Sequence, residues 1–365
     1  MKFLISKLEL QALISKIQTI VPARPALPVL SNVLLEATGD QIILSSTDLT
    51  VSMRAHAPAK ITEEGSIALP AKRFFQLIRE LTTSEVEIET SSAEVAHIYA
   101  GSSHFKMSGL AKSEFPTFPD LSGGLKMKLH NTVLREMLAR SSFAAARDDN
   151  RQVLNGILLQ NLDKAAIFVG TDGKRLARLS TNTDAASNPS SSILPLKAVE
   201  EIIKLIDTKE EFSTLTLMAD KIAFETSSIL LISKLLTGQY PDVGQVIPKK
   251  SENPIILHRE ELMSLLRQVA LFTSEESSAV RFSFSPGQLH LTAMSGSVGE
   301  GKVAMAVNYG GPKMEVAFNP HYFHDILRHS KDETVNLTLT DPYNPGLITD
   351  STTAEFVIMP MRVDA

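Results

Sequence analysis

The sequence predicts an α+β protein with three similar domains in tandem, and three observations support this. The chain has 365 residues, of which 43% are hydrophobic and 21% charged, a balance typical of globular domains. A segment with the apolar spacing of an amphipathic helix occurs three times, at intervals of roughly 125 residues, the size of a whole domain. Segments that alternate between apolar and polar residues, as half-buried strands do, follow each copy.

The repeated helix is clearest at 194–206. Its apolar residues from Val199 to Ile206 stand at positions i, i+3, i+4 and i+7, which lie on one face of a helix. The segments 69–81 and 318–327 keep the same apolar positions. Each copy has a proline at its start, where a helix loses no hydrogen bond. The three segments are therefore predicted to be the same helix in three domains.

The predicted domains share their other elements as well. A strand followed by a first amphipathic helix is predicted at 5–17, 129–138 and 257–269, a hairpin at 32–46, 155–169 and 280–292, and later strands at 85–89, 213–217 and 334–339. The alternation in these strands predicts antiparallel sheets with one buried face and one solvated face. The two helices of each domain, with one apolar stripe each, are expected to cover the buried face.

Two similar linker segments separate the predicted domains. Phe115-Pro116 opens the stretch 115–124, and Tyr240-Pro241 opens the stretch 240–254. We therefore predict domain boundaries at 1–122, 123–250 and 251–365.

Composition excludes several classes of protein. The chain has no cysteine, which excludes disulfides, thiolate nucleophiles and cysteine metal sites and fits a reducing compartment. Charges at Lys2 and Lys7 come too early for a signal peptide, and no apolar run reaches the ~18 residues of a membrane span. The sequence thus predicts a soluble cytoplasmic protein with no membrane association. A net charge of −5 argues weakly against a surface coated by nucleic acid but leaves room for a local basic face.

Two segments resemble enzyme or metal motifs, and neither meets the requirements. Gly296–Val303 nearly spells a phosphate-binding loop, but Val303 replaces the magnesium-binding hydroxyl and Glu300 would repel phosphate. A turn between strands is the better interpretation. His321, His324 and Asp325 share one predicted helix, yet nothing nearby completes a metal site. We predict no catalytic residues, no metal and no cofactor.

A series of short motifs connects the whole chain to one known family. In order, they are Met1-Lys2-Phe3, 24–30 (RPALPVL), 46–49 (STDL), Phe115-Pro116, Leu154-Asn155-Gly156, 171–176 (TDGKRL), Tyr240-Pro241-Asp242 and 357–363 (VIMPMRV). With three tandem α+β domains, these motifs resemble the bacterial sliding DNA clamp, the beta subunit of DNA polymerase III. No single motif is decisive, but their order and spacing together are specific.

The resemblance implies a DNA clamp fold in which two copies join head to tail into a ring. Helices would line the hole and antiparallel sheets would form the outside, with duplex DNA held inside without sequence specificity. The implied function is that of a DNA polymerase processivity factor that slides on DNA without catalysis or cofactor. Implied partners are a second copy of the chain, the DNA polymerase III alpha subunit, the clamp loader, and other polymerases and repair proteins with clamp-binding peptides.

Basic residues on the predicted inner helices and loops are the candidate DNA contacts. They are Arg24, Lys72, Arg73, Arg79, Arg135, Arg147, Arg151 and Lys197. Arg24 stands in a loop where the family carries a DNA-contacting arginine. Arg147 and Arg151 flank Asp148 and Asp149, which weaken the matching loop of the second domain as an anion site. Without the resemblance, the same helices are typical of solvated faces of mixed charge.

The C-terminal run predicts a binding groove when the resemblance is taken into account. Alone, it is a last strand stopped by proline, although its two methionines favour an adaptable apolar surface. Carried over from the family, the groove residues are Leu154, Thr171, Gly173, Lys174, Arg175, Leu176, Pro241, Val246, Asn319, Tyr322, Val357, Met359, Pro360, Met361 and Arg362. The effects of the loop 341–346 and of the terminal Asp364-Ala365 on this groove stay open.

The resemblance also places the ring interface. Phe105 and Met107 of the first domain would meet Leu271 and Phe272 of the third domain in another copy. Such a heterologous contact closes into a ring when its rotation closes. Each of these residues could instead be ordinary core. The rival function is a non-enzymatic interaction scaffold of tandem domains that does not encircle DNA.

Overall fold

The computed structural model describes residues 1–91, 94–183, 189–274 and 278–362. The elements of the predicted first domain are β1 (Lys2–Ser6), α1 (Lys7–Ile17), β2 (Asn32–Thr38), β3 (Gln41–Thr47), β4 (Val51–Pro58), β5 (Lys60–Glu63), β6 (Gly65–Pro70), α2 (Ala71–Glu80), β7 (Glu85–Thr90), β8 (Val95–Ala100) and β9 (Ser103–Ser108). Those of the second are β10 (Leu125–His130), α3 (Asn131–Ser142), β11 (Gly156–Leu162), β12 (Ala165–Thr171), β13 (Arg175–Asn182), β14 (Ser190–Pro195), α4 (Leu196–Leu205), β15 (Phe212–Leu217), β16 (Lys221–Glu225) and β17 (Ile229–Lys234).

The third predicted domain repeats the order of helices and strands of the second. Its elements are β18 (Ile255–His258), α5 (Arg259–Ala270), β19 (Val280–Ser285), β20 (Gln288–Ser295), β21 (Gly299–Ala306), β22 (Met314–Phe318), α6 (Pro320–His329), β23 (Thr334–Thr338), β24 (Gly346–Thr349) and β25 (Glu355–Ile358). All six predicted helices are present, each following a strand, so the α+β prediction is confirmed.

Contacts divide the chain into two compact units, and the division does not follow the sequence repeat. The described part of the first unit is 1–91, 94–134 and 200–235, and that of the second is 135–183, 189–199, 236–274 and 278–362. Within each unit, strands from two predicted domains join in one antiparallel sheet.

The first unit contains an eight-stranded and a five-stranded sheet. The larger has the order β10-β15-β16-β17-β4-β3-β2-β6 and the smaller β5-β1-β7-β8-β9. The junction between predicted domains is the β17–β4 pair, in which Ile229 stands opposite Ala55. α1 buries Leu10, Ile14 and Ile17 completely and packs against α2, β3 and β4.

The second unit repeats this arrangement. Its eight-stranded sheet has the order β14-β11-β12-β13-β25-β24-β23-β18, and its four-stranded sheet the order β21-β20-β19-β22. Here β13 and β25 form the junction, with Leu176 opposite Val357. Phe282, Phe318 and Phe323 form an aromatic core under α6, with ring centroids 5.0–5.6 Å apart.

A buried ion pair also connects α3 to the turn before β25. The Arg140 guanidinium donates to the Asp350 carboxylate and to Glu136 Oε1, and its Nε donates to the His329 carbonyl at 2.7 Å. The side chains of Arg140 and Asp350 are 6% and 0% exposed. Because such a cation is costly to bury without partners, this network fixes the packing of α3 on the end of α6.

The helices are short. The longest ones, α3 and α5, have 12 residues each. Throughout the ranges that the structure describes, no helix combines the length and the apolar character needed to cross a membrane.

Candidate functional site

A largely apolar cavity of about 190 Å³ opens in the second unit, next to the β13–β25 junction. Its lining residues are Arg151, Leu154, Thr171, Gly173, Arg175, Leu176, Pro241, Asp242, Val243, Val246, Val357 and Met359. They come from four places in the chain: a 3₁₀ turn before β11, the β12–β13 turn, the segment after Tyr240, and the end of β25. We call this cavity the groove.

The β12–β13 turn forms one wall and is held by its own side chains. The Thr171 hydroxyl accepts from Gly173 N at 3.0 Å and donates to the Arg175 carbonyl, while Asp172 Oδ1 accepts from the backbone N of Lys174 and Arg175. Gly173 has φ +85°, a left-handed conformation that glycine adopts without strain. A Cβ at this position would lie 3.2 Å from the Arg151 guanidinium, so glycine also leaves room for that side chain.

The opposite wall depends on Tyr240, which is buried and anchored by a hydrogen bond from its hydroxyl to the Val169 carbonyl at 3.4 Å. Burial raises the pKa of the Tyr240 phenol well above its usual range, so it stays neutral. Asp242 then caps the short 3₁₀ turn Val243–Gln245 by accepting from Gly244 N. Val246 remains 42% exposed at the rim, where an incoming apolar side chain can cover it.

The floor of the groove is part of the hydrophobic core, which includes Leu154, Leu176 and Val357. Met359 follows β25 and is fixed through its backbone N, which donates to the Lys174 carbonyl at 2.9 Å. Its side chain is 39% exposed. The groove therefore has a rigid floor and one flexible thioether at its edge.

Arg175 connects the groove to α6. Its guanidinium pairs with Asp172 and Asp325, donates to the Phe143 carbonyl at 3.0 Å, and lies over the Tyr322 ring at 4.7 Å. With its side chain only 11% exposed, Arg175 is largely desolvated and its position is fixed by these contacts.

A second cavity of about 720 Å³ lies on the other side of the C-terminal segment. Its lining residues are Arg281, Glu315, Val316, Ala317, Pro342, Tyr343, Met359, Pro360, Met361 and Arg362. Met359 lines both cavities, and Met361 N donates to the Ala317 carbonyl at 2.8 Å, which fixes the segment between them. Tyr343 is 86% exposed, a large aromatic surface beside this cavity.

The structure brings together most of the predicted groove residues. Nine of them line the groove: Leu154, Thr171, Gly173, Arg175, Leu176, Pro241, Val246, Val357 and Met359. Pro360, Met361 and Arg362 line the second cavity instead. Tyr322 reaches the groove through Arg175, Asn319 caps the α6 N-terminus by accepting from His321 N at 2.9 Å, and Lys174 is exposed on the turn.

Sequence reasoning missed several lining residues. Asp242 and Val243 follow the recognised Tyr240-Pro241 motif directly, so proximity to it could have identified them. Pro342 and Tyr343 belong to the loop 341–346, whose contribution was left open. Arg281 and Glu315 had no signal in the sequence, and Asp364-Ala365 lies outside the described residues.

The eight candidate DNA contacts are all exposed: Arg24, Lys72, Arg73, Arg79, Arg135, Arg147, Arg151 and Lys197. Arg79 pairs with Glu80 at 3.0 Å, and Arg151 pairs with Asp149 at 2.9 Å. Hydrogen bonds from Arg151 lower the pKa of Asp149 to about 2. Arg151 also lines the groove, so its side chain is placed to meet a groove ligand as well as solvent.

The predicted interface residues lie at two sheet edges. Phe105 and Met107 are half-buried on β9, the outer strand of the five-stranded sheet. Leu271 is 73% exposed after α5, and the Phe272 ring packs on β21, the outer strand of the four-stranded sheet. A Cβ on Gly301 would lie 2.4 Å from the Phe272 ring, so only glycine fits there.

The segments with resemblance to enzyme motifs have structural roles. Ser295 and Gly299 are paired at the turn between β20 and β21, which confirms the prediction of a turn. His324 lies 3.3 Å from an Arg267 guanidinium nitrogen, and burial together with this charge lowers the pKa of the imidazole. In the described part of the chain, no group of three or more His, Cys, Asp or Glu side chains is arranged to hold a metal.

Tandem domains that pack paired helices on antiparallel sheets have the architecture of DNA clamps. Family profiles of the DNA polymerase III beta subunit match almost the whole chain, the N-terminal domain at 1–119, the central domain at 128–242 and the C-terminal domain at 244–362. The chain belongs to this beta sliding clamp family. Sliding clamps are processivity factors of DNA polymerases in replication, so this is the class of its function.

Similarity to individual relatives extends over the full length. The chain is 50% identical to the beta sliding clamp of Chlamydia muridarum over 366 residues, which cover 100% of this chain and 99% of the relative. The crystal structure of the Pseudomonas aeruginosa DNA polymerase III subunit beta superposes with a TM-score of 0.96 at 29% identity, with 100% of both chains covered. A crystal structure of a Pseudomonas aeruginosa clamp bound to griselimycin superposes with a TM-score of 0.95 at 30% identity, again with 100% of both chains covered.

Proposed function

We propose that two copies of this chain form a head-to-tail ring that encircles duplex DNA, slides on it and tethers the replicative polymerase through the groove. The observation that carries the proposal is the apolar groove beside the β13–β25 junction, in a chain that belongs to the sliding clamp family. Clamp domains extend over 1–122, 123–250 and 251–365 in this proposal, and the ring works in the cytoplasm without catalytic residues.

The groove takes short peptide segments of partner proteins. Its apolar floor and the exposed Val246 and Met359 provide surface for one or two large apolar side chains. Each buried anchor contributes roughly 1.5–3 kcal/mol, so one or two anchors supply only part of the binding free energy, and the contact stays weak enough for partners to exchange. Partners of this kind are the DNA polymerase III alpha subunit, the clamp loader, and other polymerases and repair proteins. A related clamp has been solved bound to griselimycin, which supports ligand binding by this fold.

The second cavity extends the binding surface beyond Met359. Pro360, Met361 and Arg362 contact the flanking part of the peptide there, and Asn319 and Tyr322 form the edge near α6. Arg151 belongs to the groove in this proposal, where its guanidinium meets a peptide carboxylate or carbonyl. The groove contact adds to the DNA contact that the resemblance implies for Arg151.

Ring closure uses the two open sheet edges. β9 of one copy, with Phe105 and Met107, pairs with the edge near Leu271 and Phe272 of the other copy. β9 and β21 are edge strands of their sheets, and an edge strand has backbone groups that can pair with another strand. An isolated Leu271 side chain with 73% exposure is covered in such a dimer.

DNA contacts inside the ring are electrostatic and weak. The candidate contacts are all exposed, and carboxylates near them on the same helices and loops limit their attraction for phosphate: Arg24, Lys72, Arg73, Arg79, Arg135, Arg147 and Lys197. Binding to phosphates is independent of sequence and screened by salt. Retention on DNA then comes from topology, which is what a sliding protein requires.

Small-angle X-ray scattering separates this function from a scaffold that never encircles DNA. We expect a mass of twice 39.8 kDa and a distance distribution with the deficit of short vectors that a hollow ring produces. A monomer with a compact or elongated distribution would favour the scaffold, because that function needs no closed ring.

A further inference from the structure

Two histidines and a tyrosine form a stacked cluster on the β8–β9 hairpin of the first unit. His97 and Tyr99 belong to β8, and His104 belongs to β9. Tyr99 stands directly opposite His104 in the strand register, and His97 stands opposite Lys106. His97 and His104 are therefore diagonal neighbours on one sheet face, a distance that long side chains can bridge.

The two imidazole rings are joined by a hydrogen bond between one nitrogen of each ring. His97 Nδ1 and His104 Nε2 are 3.1 Å apart, so one of them carries the proton that it donates to the other. The Tyr99 ring stacks on His104 with centroids 4.4 Å apart and an interplanar angle of 5°. Because Tyr99 packs flat against it, the His104 ring has little freedom to turn away from His97.

The spacing of these two nitrogens suits a single metal ion. A tetrahedral ion that binds imidazole nitrogen at about 2.0–2.1 Å holds two such nitrogens roughly 3.3 Å apart. The 3.1 Å separation is slightly shorter than this, and rotation of both rings opens it and turns the two nitrogen lone pairs toward a common ion. Imidazole pairs favour Zn²⁺, Ni²⁺ and Cu²⁺ over Mg²⁺ and Ca²⁺, which prefer oxygen.

The charged neighbours of the cluster favour a cation. Charged residues on the same sheet face include Lys106 on β9, Glu85, Glu87 and Glu89 on β7, and Lys2 on β1. Glu89 stands opposite His97 in the register, and Glu87 and Glu89 pair with Lys2 at 3.1 and 3.3 Å. The three β7 carboxylates outnumber the two lysines on these strands, so the face carries negative charge, which favours a bound cation.

We propose that His97 and His104 form an exchangeable binding site for a divalent transition metal such as Zn²⁺. The metal binds His97 Nδ1 and His104 Nε2, and water fills its remaining positions. The proton shared between the rings moves to the outer nitrogen of the ring that donated it, so both imidazoles stay neutral and no net proton is released. By tying β8 to β9, the metal stabilises a hairpin whose other face carries Phe105 and Met107.

Isothermal titration calorimetry with ZnCl₂ alone tests the site on the metal-stripped full chain at pH 7.5. We expect one equivalent to bind per chain, and either His97→Gln or His104→Gln to weaken it at least about tenfold, because loss of one ligand removes chelation. His321→Gln is the matched control, an exposed histidine on α6 that should leave binding unchanged. Circular dichroism checks that the variants keep their fold.

Electron paramagnetic resonance with Cu²⁺ gives a second readout that does not depend on affinity. The wild-type signal should show nitrogen couplings from two imidazoles, and either glutamine variant should lose one of them. Absence of binding up to about 1 mM metal, or equal affinity in wild type and both glutamine variants, would overturn the proposal. The histidines would then be only a hydrogen-bonded surface pair. Neither readout requires the ring or DNA, so failure of the proposed function leaves this test intact.

Discussion

The Arg175 guanidinium forms an ion pair with the Asp325 carboxylate, and this contact joins the wall of the groove to helix α6. Sequence places these residues in different predicted domains, 150 positions apart. Arg175 also lies over Tyr322 on the same helix. The shape of the groove therefore depends on where α6 sits, as well as on the residues that line it.

Replacing Asp325 tests this dependence. In Asp325→Ala, Arg175 keeps Asp172, the Phe143 carbonyl and its contact with the Tyr322 ring, but loses its ion pair with α6. Asp325 is 40% exposed, so the cost to stability should be below about 1 kcal/mol. We expect a fluorescently labelled clamp-binding peptide to bind a few-fold more weakly in an anisotropy titration. Glu252→Gln, an exposed carboxylate elsewhere in the same unit, is the control, and equal affinity in all three proteins would disprove the coupling.

Met359→Ala should weaken peptide binding more strongly, because Met359 lines both cavities. Losing one partly buried anchor contact of about 1.5 kcal/mol corresponds to roughly tenfold in the dissociation constant. Met294→Ala removes a methionine that is 76% exposed on β20 and should leave affinity unchanged. If both variants bind the peptide as wild type does, the groove is not the peptide site.

The double variant Leu271→Ala with Phe272→Ala should give folded monomers. Leu271 contributes little to the fold because it is 73% exposed, whereas the Phe272 ring packs on Gly301 and its loss costs some stability. Multi-angle light scattering measures the mass, and circular dichroism verifies the fold. Leu8→Ala, with the same 73% exposure on α1, serves as the control and should remain dimeric. A double variant that stays dimeric would place the interface elsewhere.

Stability should fall in acid through the Arg140 network. Burial alone would raise the pKa of Asp350, but hydrogen bonds from Thr352 and the Lys331 backbone, with the charge of Arg140, lower it overall. A carboxylate with a lowered pKa in the folded state stabilises the fold above its unfolded pKa of about 3.9. This contribution is lost as the pH falls from about 3.9 through the lower pKa that Asp350 has in the folded protein.

Asp350→Asn should remove that acid dependence and leave Arg140 buried without its main partner. Breaking such a pair costs about 3–5 kcal/mol at pH 7. Urea unfolding at pH 7 and in acid measures both effects, and Asp163→Asn, on the exposed β11–β12 turn, should change neither. A loss in Asp350→Asn no larger than in Asp163→Asn would show that the network contributes little to stability.

Local patterns were sufficient to predict the helices, whereas most of the groove was predicted from the resemblance to the clamp family. The apolar spacing of 194–206 predicts α4, and the Thr171–Leu176 and Tyr240-Pro241 motifs identify both groove walls. The β17–β4 junction could not be predicted, because the sequence repeat identifies equivalent strands but does not indicate which edge strands of two domains pair with each other. Contacts between distant polar side chains, such as Arg140 with Asp350, leave no periodic signal either.

Retention on circular DNA is the measurement that tests the encircling ring most directly. The chain is placed on a nicked circular plasmid by a clamp loader, separated from free protein by gel filtration in high salt, and the plasmid is then cut once. We predict that the protein stays with the intact circle, because salt screens phosphate contacts but not topology, and leaves within the time of cutting because it slides off the ends. Protein that remains on the linear DNA, or that dissociates equally from circle and line, would contradict the ring.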